Sequence, residues 1–272
     1  MNKKLNLILG AASASMVSLA SAGDGKMIMM EPPILEPAPS PGVSGTLDLS
    51  YNSHFISYGA DVWGLGSDTF DDALFNPSIE LAFDIGNSGV DFLLGTWWDV
   101  NDNAVSDIGR NIQEVDVWAG FAFEAGPVSV TLLYQQWYYA EDTEHIVDLI
   151  LGFDAPLNPS LTIHGRPEEG ASGGDTGVFF VPGIEPGVEF GIFSLAFPVN
   201  VGFATDGYHG GDGGFAYVSA GVSASVPLKS FPLGGEWALS AGATYYHTED
   251  SVIPGNPDSD FVTLTAGISC SF

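Results

Sequence analysis

The residues best placed to do chemistry are carboxylates set at alternate positions within apolar rows. Asp48 falls between Leu47 and Leu49, Glu80 and Asp84 interleave with Ile79, Leu81, Phe83 and Ile85, and Glu114 and Asp116 flank Val115. Asp91, Asp148 and Glu189 hold equivalent positions in other rows. Successive residues of an extended strand point to opposite faces, so each row has one apolar face and one polar or small face. Unpaired ionised carboxylates cost too much to keep in a dry core. The spacing therefore predicts a hydrated interior lined by Asp48, Glu80, Asp84, Asp91, Glu114, Asp116, Asp148 and Glu189. A narrow aqueous passage lined this way concentrates cations and repels anions. The competing reading is an interior plugged by the chain's own loops, with these carboxylates hydrogen-bonded to Ser, Thr and Tyr.

Two other chemistries need weighing. The five histidines, His54, His145, His164, His209 and His247, map to outer strand ends or loops. Glu144 next to His145, and Asp206 near His209, supply the acid–base neighbours that catalysis requires. No nucleophile motif or His-to-Ser spacing accompanies them, so the chain is expected to be a non-enzyme. The predicted loops are acidic, with Asp61, Asp68, Asp99, Asp102, Glu141, Asp142, Glu144, Glu249 and Asp258 among their residues. Ca²⁺ takes such oxygens, but Asp99-Val-Asn-Asp-Asn103 lacks the Gly and the later Glu of an EF-hand loop. No cofactor is expected, with Ca²⁺ at the acidic loops as the alternative.

The elements that must position these groups read as strands throughout. Leu47, Leu49 and Tyr51 form one row, Val115 to Phe123 another, Val128 to Tyr134 a third and Val147 to Phe153 a fourth. Further rows run over Leu195–Phe203, Trp237–Tyr245 and Val262–Phe272, with weaker ones near 90–99, 159–166, 177–191 and 214–228. This makes about twelve strands of roughly ten residues, the length that crosses a bilayer at a tilt rather than that of a soluble sandwich.

The connections alternate in length. Short turns fall at 86–89, 124–127, 154–159, 191–194 and 227–235, and longer polar loops at 57–76, 99–111, 139–145, 165–177, 204–214 and 247–260. Short on one side and long on the other is the pattern of an up-and-down transmembrane barrel, with short periplasmic turns and longer extracellular loops. Aromatics gather at strand ends, with Trp97-Trp98, Trp137-Tyr138-Tyr139 and Tyr245-Tyr246 toward the loops and Phe121, Phe123, Trp237 and Phe272 toward the turns. The expected fold is thus an all-β, antiparallel, closed transmembrane barrel over 45–272. Its last strand pairs with the first, near Gly45 to His54, because an open edge in lipid would leave amides unpaired.

The front of the chain sets the compartment. Lys3 and Lys4, an apolar stretch from Leu5 to Leu19 and Ala20-Ser21-Ala22 read as a signal peptide over 1–22. Residues 23–44 are Pro-rich and read as a periplasmic linker. Removing the leader takes away two of six Lys and Arg but none of the 34 acidic residues, leaving 4 − 34 = −30. Such a surplus excludes nucleic acid as a partner, since phosphate binding needs clustered Lys and Arg. Cys270 is the single cysteine, so an internal disulfide is excluded, and its row places it toward lipid.

Two resemblances follow from named residues. The ending Ile268-Ser-Cys-Ser-Phe272 resembles the alternating, aromatic-terminated last strand of outer-membrane barrels. That resemblance implies the barrel assembly machinery as a partner beside the outer-membrane bilayer. Tyr51 to Gly59, Asn76-Pro-Ser-Ile-Glu-Leu81, Gly89 to Trp97 and Glu114 to Gly120 with Pro127 to Tyr139 resemble the opening hairpins of TorF-type porins. The Arg-Gly pair common in that family's first strand is Ser57-Tyr58-Gly59 here. The resemblance covers about 45–150 and implies a twelve-stranded barrel with a pore-like role. Together these readings point to an outer-membrane (Gram-negative-type) channel for small solutes or cations, against a non-conducting structural or binding barrel.

Overall fold

The computed structural model describes residues 42–69, 73–139, 142–170, 174–229 and 232–272. The predicted leader, and the linker as far as residue 41, lie outside the described residues. The strands are β1 (Val43–Asn52), β2 (Ile56–Ser57), β3 (Ala60–Asp61), β4 (Leu74–Asp84), β5 (Val90–Val100), β6 (Ile112–Ala125), β7 (Val128–Tyr139) and β8 (Asp142–Phe153). They continue as β9 (Pro159–Arg166), β10 (Gly177–Ile184), β11 (Gly187–Phe190), β12 (Phe193–Ala196), β13 (Val199–Ala204), β14 (Gly214–Pro227), β15 (Glu236–Thr248) and β16 (Asp260–Ser271). Beyond strands, the regular structure among the described residues is a single 3-10 turn at Gly86–Ser88.

Twelve of these strands form one closed antiparallel ring. Each of β4 to β10 pairs with its neighbour in sequence, β10 pairs with β13, and β13 to β16 continue the ladder. Closure comes from β1, which pairs with β4 on one side and with β16 on the other, from Thr46↔Ser271 to Asn52↔Thr265. Gly45 and Phe272 extend that seam by exchanging backbone hydrogen bonds of 2.8 and 3.0 Å. β11 and β12 prolong the β10–β13 hairpin past Glu185-Pro186 and Phe197-Pro198. Proline has no N–H to give a ladder, so the regular pairing stops there. The Phe197 N–H donates to the Pro186 carbonyl at 2.9 Å and carries the hairpin across the gap.

The two faces differ as the rows predict. Leu94, Phe121, Leu132, Val147, Phe180, Val222, Leu239 and Val262 point outward and are each 39–49 % exposed. An apolar surface of this extent is costly in water and matches the lipid-facing band of a membrane barrel. β6, with 14 residues, reaches ~35 Å along the barrel axis at about 3.3 Å per residue and a tilt of about 40°.

The interior is packed. One cluster joins Phe55, Leu74, Leu93, Trp97, Trp118 and Leu133, and a second joins Tyr58, Trp137, Ile146, Phe179, Tyr217 and Ile253.

Three expectations change. Trp97, Trp137 and Tyr246 do not join an outer aromatic rim but are buried inside at 1–4 % exposure, while Trp98, Tyr138 and Tyr245 face out. Adjacent residues on a strand cannot share a face, so each predicted aromatic pair splits. Glu144 and His145 lie within β8 rather than in a loop, because the connection after β7 has only two residues, 140 and 141. Cys270 keeps outward parity but is 3 % exposed, since Gly234 and Gly235 fold over its sulfur.

Gly95 shows how the wall is fitted. It pairs with Trp118, whose indole lies against the Gly95 backbone where a Cβ would stand, and whose Nε1–H donates to Glu80 at 2.8 Å. Gly95→Leu must expel that indole and should cost ~1–3 kcal/mol. Thermal unfolding of the barrel in detergent should show a lowered midpoint, and an unchanged midpoint would contradict this packing.

Candidate functional site

The charged interior lies on one side of the ring, on β1, β4 and β5 to β9, with its buried part on β5 to β9. Asp91 and Asp99 come from β5, Glu114 and Asp116 from β6, Gln135 from β7, Glu144 and Asp148 from β8, and His164 and Arg166 from β9. Residues two apart on a strand share a face, which stacks these groups into layers along the wall. The facing wall carries Ser219, Ser223 and Thr244 with the rings of Tyr217 and Tyr246, and no buried charge on β14 and β15.

The eight predicted lining residues divide by depth. Glu114, Asp116 and Asp148 are buried at 0–3 % exposure in the half nearer the long loops. Asp48, Glu80 and Asp91 face inward toward the short-turn end and are partly exposed. Asp84 stands directly opposite Asp91 at the short-turn rim. Glu189 lies exposed on β11, accepting a hydrogen bond from Ser194 Oγ at 3.0 Å.

At the long-loop end three of the carboxylates are held by side-chain donors. Asp148 accepts from Gln135 Nε2 at 2.5 Å and from His164 Nδ1 at 2.6 Å, and Gln135 Oε1 accepts from Trp137 Nε1 at 3.1 Å. Asp99 accepts from Trp63, Asn76 and Asn101 at 2.8–3.0 Å. Glu144 meets the Arg166 guanidinium at 3.4 Å, and that guanidinium also sits 4.2 Å above the Tyr208 ring. The donors to Asp99, Asp148 and Glu144 are Trp, Asn, Gln, His and Arg, whereas Glu114 has the Tyr139 hydroxyl and Glu189 has Ser194, donors of the kind expected for a plugged interior.

The plug is the segment after β1. β2 and β3 form a two-residue hairpin whose turn, Tyr58-Gly59, has φ of +48° and +88°. Positive φ at both central residues is the type I′ turn, which favours Asn or Asp followed by Gly, so Tyr58 is an unusual occupant. The hairpin enters the ring from the long-loop end and buries Phe55, Ile56 and Tyr58 to 1–3 % exposure. The Tyr58 ring lies 3.8 Å from that of His164 and 5.3 Å from that of Phe179. Asn256 Nδ2 donates to the Gly59 carbonyl at 2.9 Å, and Asn256 Oδ1 accepts from the Asp61 N–H at 2.8 Å. Since a carbonyl only accepts, His209 Nε2 donates to the Tyr58 carbonyl at 3.1 Å.

Burial sets the titration of this plug. It pushes the Tyr58 and Tyr208 phenols well up, with Asp148 adding to the effect at Tyr58. It pushes His209 down to about 4 and Asp61 up, the latter opposed by the Gly66 N–H.

Three of the five histidines depart from the expected polar rim. His54 and His164 are buried and His209 is mostly covered, whereas His145 and His247 face outward. His247 Nδ1 and the Tyr245 hydroxyl both reach Asp260 Oδ1, the first at 3.0 Å. His54 Nδ1 lies 2.7 Å from Ser53 Oγ, and its Nε2 donates to the Gly66 carbonyl at 2.9 Å, whereas His164 and His247 meet carboxylates. Among those residues, no group of three His, Cys, Asp or Glu is arranged to hold a metal ion. Sequence reasoning missed Tyr58, His164 and Arg166. His164-Gly165-Arg166 had a legible signal, two polar residues sharing one face of a short strand, whereas the inward path of the plug had none.

No protein-family model matches the chain, and no curated protein matches it. Among solved structures it is similar to the NanC porin, with 10 % identity over 83 % of this chain and 98 % of that one and a TM-score of 0.45. It is similar to outer membrane phospholipase A from Escherichia coli at 11 % identity, covering 84 % and 92 % of the two chains with a TM-score of 0.38. It is similar as well to an anion-selective porin from Comamonas acidovorans at 9 % identity, covering 85 % and 98 % with a TM-score of 0.32. Likenesses this distant carry no conclusion about what this chain conducts or catalyses.

His209 makes the plug sensitive to acid. Its folded value, about 4, lies below the ordinary value of about 6.5. Above about 6.5 both the seated and the released histidine are neutral and seating is unaffected. Between about 6.5 and 4 the released form takes a proton that the seated form refuses, so seating weakens as pH falls. Asp61, pushed up by burial, works in the opposite direction. Amide exchange at 55–61, corrected for intrinsic rates, should report more frequent opening at pH 5 than at pH 7.5, and His209→Gln should shrink the difference. An equal opening free energy at both pH values would contradict the role given to His209.

Proposed function

We propose that the chain is an outer-membrane channel for passive diffusion of small hydrophilic solutes, favouring cations. The observation that carries this reading is the imbalance of the interior wall. Asp48, Glu80, Asp91, Glu114, Asp116, Glu144 and Asp148 face inward, with Arg166 the permanent cation beside them among the described residues. An enclosed negative surface of low local dielectric draws cations and repels anions. The closed ring and apolar outer band support a bilayer location. The predicted signal peptide and the Phe272-ended last strand support export and insertion by the barrel assembly machinery. The resemblance of 45–150 to TorF-type porins is consistent with this. No reaction and no cofactor are invoked.

The channel is gated at its long-loop end, the extracellular side in this reading. Partly exposed Asp48, Glu80 and Asp91 form a vestibule from the periplasmic side, and the β2–β3 hairpin closes the passage beyond it. Conduction then depends on withdrawal of that hairpin. The packing of Phe55, Ile56 and Tyr58 also favours the alternative, a structural barrel that does not conduct.

Planar-bilayer recording separates the two. The native chain should show small or infrequent openings, and replacement of Phe55–Asp61 by a Gly-Ser linker should raise conductance at least tenfold. Under a KCl gradient the reversal potential should have the sign of cation preference, weakened by Glu80→Gln with Asp48→Asn. No conductance in either form would remove the channel reading, and anion preference would contradict the acidic wall as its filter.

A further inference from the structure

Tyr58 occupies a place built for another group. It is a non-glycine residue at φ +48°, a strained conformation that persists only when its surroundings enforce it. Its hydroxyl is buried without a hydrogen-bond partner among the described residues. Around its ring lie His164 and Phe179, with Trp137 stacked on His164 at 5.5 Å and Tyr208 edge-on to Phe179 at 5.4 Å.

Two further polar atoms of this neighbourhood, His164 Nε2 and Tyr208 Oη, are buried without a hydrogen-bond partner among the described residues, and the buried Asp116 carboxyl lies beside that of Glu114. Aromatic faces backed by carboxylates are the surroundings that hold an organic cation. The protein displays that chemistry beside the same box, where the Arg166 guanidinium rests 4.2 Å over Tyr208 and meets Glu144. A bare metal ion would need a tighter set of oxygen and nitrogen ligands than the described residues provide.

We infer that this aromatic box is a binding site for a small organic ammonium cation, and that Tyr58 is its internal competitor. The ligand and the hairpin cannot be seated together. A cation entering the box would displace Tyr58 and relieve its backbone, and would bring its own charge to Asp116 and Asp148. The inference rests on the channel reading, because the box lies across the proposed passage.

The test uses the purified full-length chain in detergent micelles, with tetramethylammonium chloride as the probe and sodium chloride at equal ionic strength as the control. Trp137 and its neighbours supply the fluorescence signal. Tetramethylammonium should alter the emission saturably where sodium does not, and Tyr58→Ala should tighten the response at least tenfold by emptying the box. Asp116→Asn in the Tyr58→Ala background should weaken it at least fivefold, with a thermal midpoint confirming that each variant is folded. Equal responses to the two salts, or an affinity unmoved by Tyr58→Ala in a folded barrel, would overturn the inference. Bilayer recordings keep the two ideas apart. Saturable binding without conductance leaves the site and removes the channel, whereas conductance without binding does the reverse.

Discussion

The seam between β1 and β16 is the constraint on which the other features depend. A sheet in contact with lipid cannot leave an edge, because each unpaired amide there costs too much free energy. Once Thr46–Asn52 meets Thr265–Ser271, every ring strand has two partners and the sheet acquires an inside. Alternation then works as a sorting rule, sending Leu47 and Leu49 out and Asp48 in, and Val115 and Val117 out with Glu114 and Asp116 in. The outer band and the acidic wall are two consequences of one closure.

Enclosing so many carboxylates creates a problem that the chain solves differently at its two ends. Toward the short turns, Asp48, Glu80 and Asp91 remain partly exposed. Toward the long loops the carboxylates are shut in, and three are matched to particular neighbours: Asp99 to Trp63, Asn76 and Asn101, Asp148 to Gln135 and His164, and Glu144 to Arg166. The β2–β3 hairpin is what covers that half. Its anchors come from distant loops, with Asn256 holding Gly59 and His209 holding Tyr58, so the seat of the hairpin is shared among three loops rather than encoded in one.

Much of this was legible in the sequence because strand parity is local. The rows over Val115–Phe123 and Val262–Phe272, the short turns at 86–89 and 124–127, and the closing pair of first and last strands all follow from residues a few positions apart. The errors share one cause, which is treating a cluster in sequence as a cluster in space. Trp97-Trp98 and Trp137-Tyr138 read as one rim, yet parity divides each pair between lipid and interior. Glu144 read as loop because its neighbours are polar, although polarity is also what an inward strand face carries. The hairpin at Phe55–Asp61 left no periodic trace, since its place is fixed by contacts with residues some 150 to 200 positions away, His209 and Asn256 among them. Charge marks which carboxylates the sequence holds at inward positions, but not which donors a folded loop brings to them.

The central claim is that the acidic wall near Asp116 is sealed by the β2–β3 hairpin and not by the ring itself. Substituted-cysteine accessibility tests it most directly, with Asp116→Cys in a Cys270→Ser background reconstituted in lipid vesicles. In the otherwise native chain this cysteine should react slowly with a positively charged thiol reagent. Replacing Phe55–Asp61 by a Gly-Ser linker should accelerate that reaction at least tenfold, with a negatively charged reagent lagging behind. Fast labelling while the hairpin is intact, or protection that survives its removal, would contradict the account.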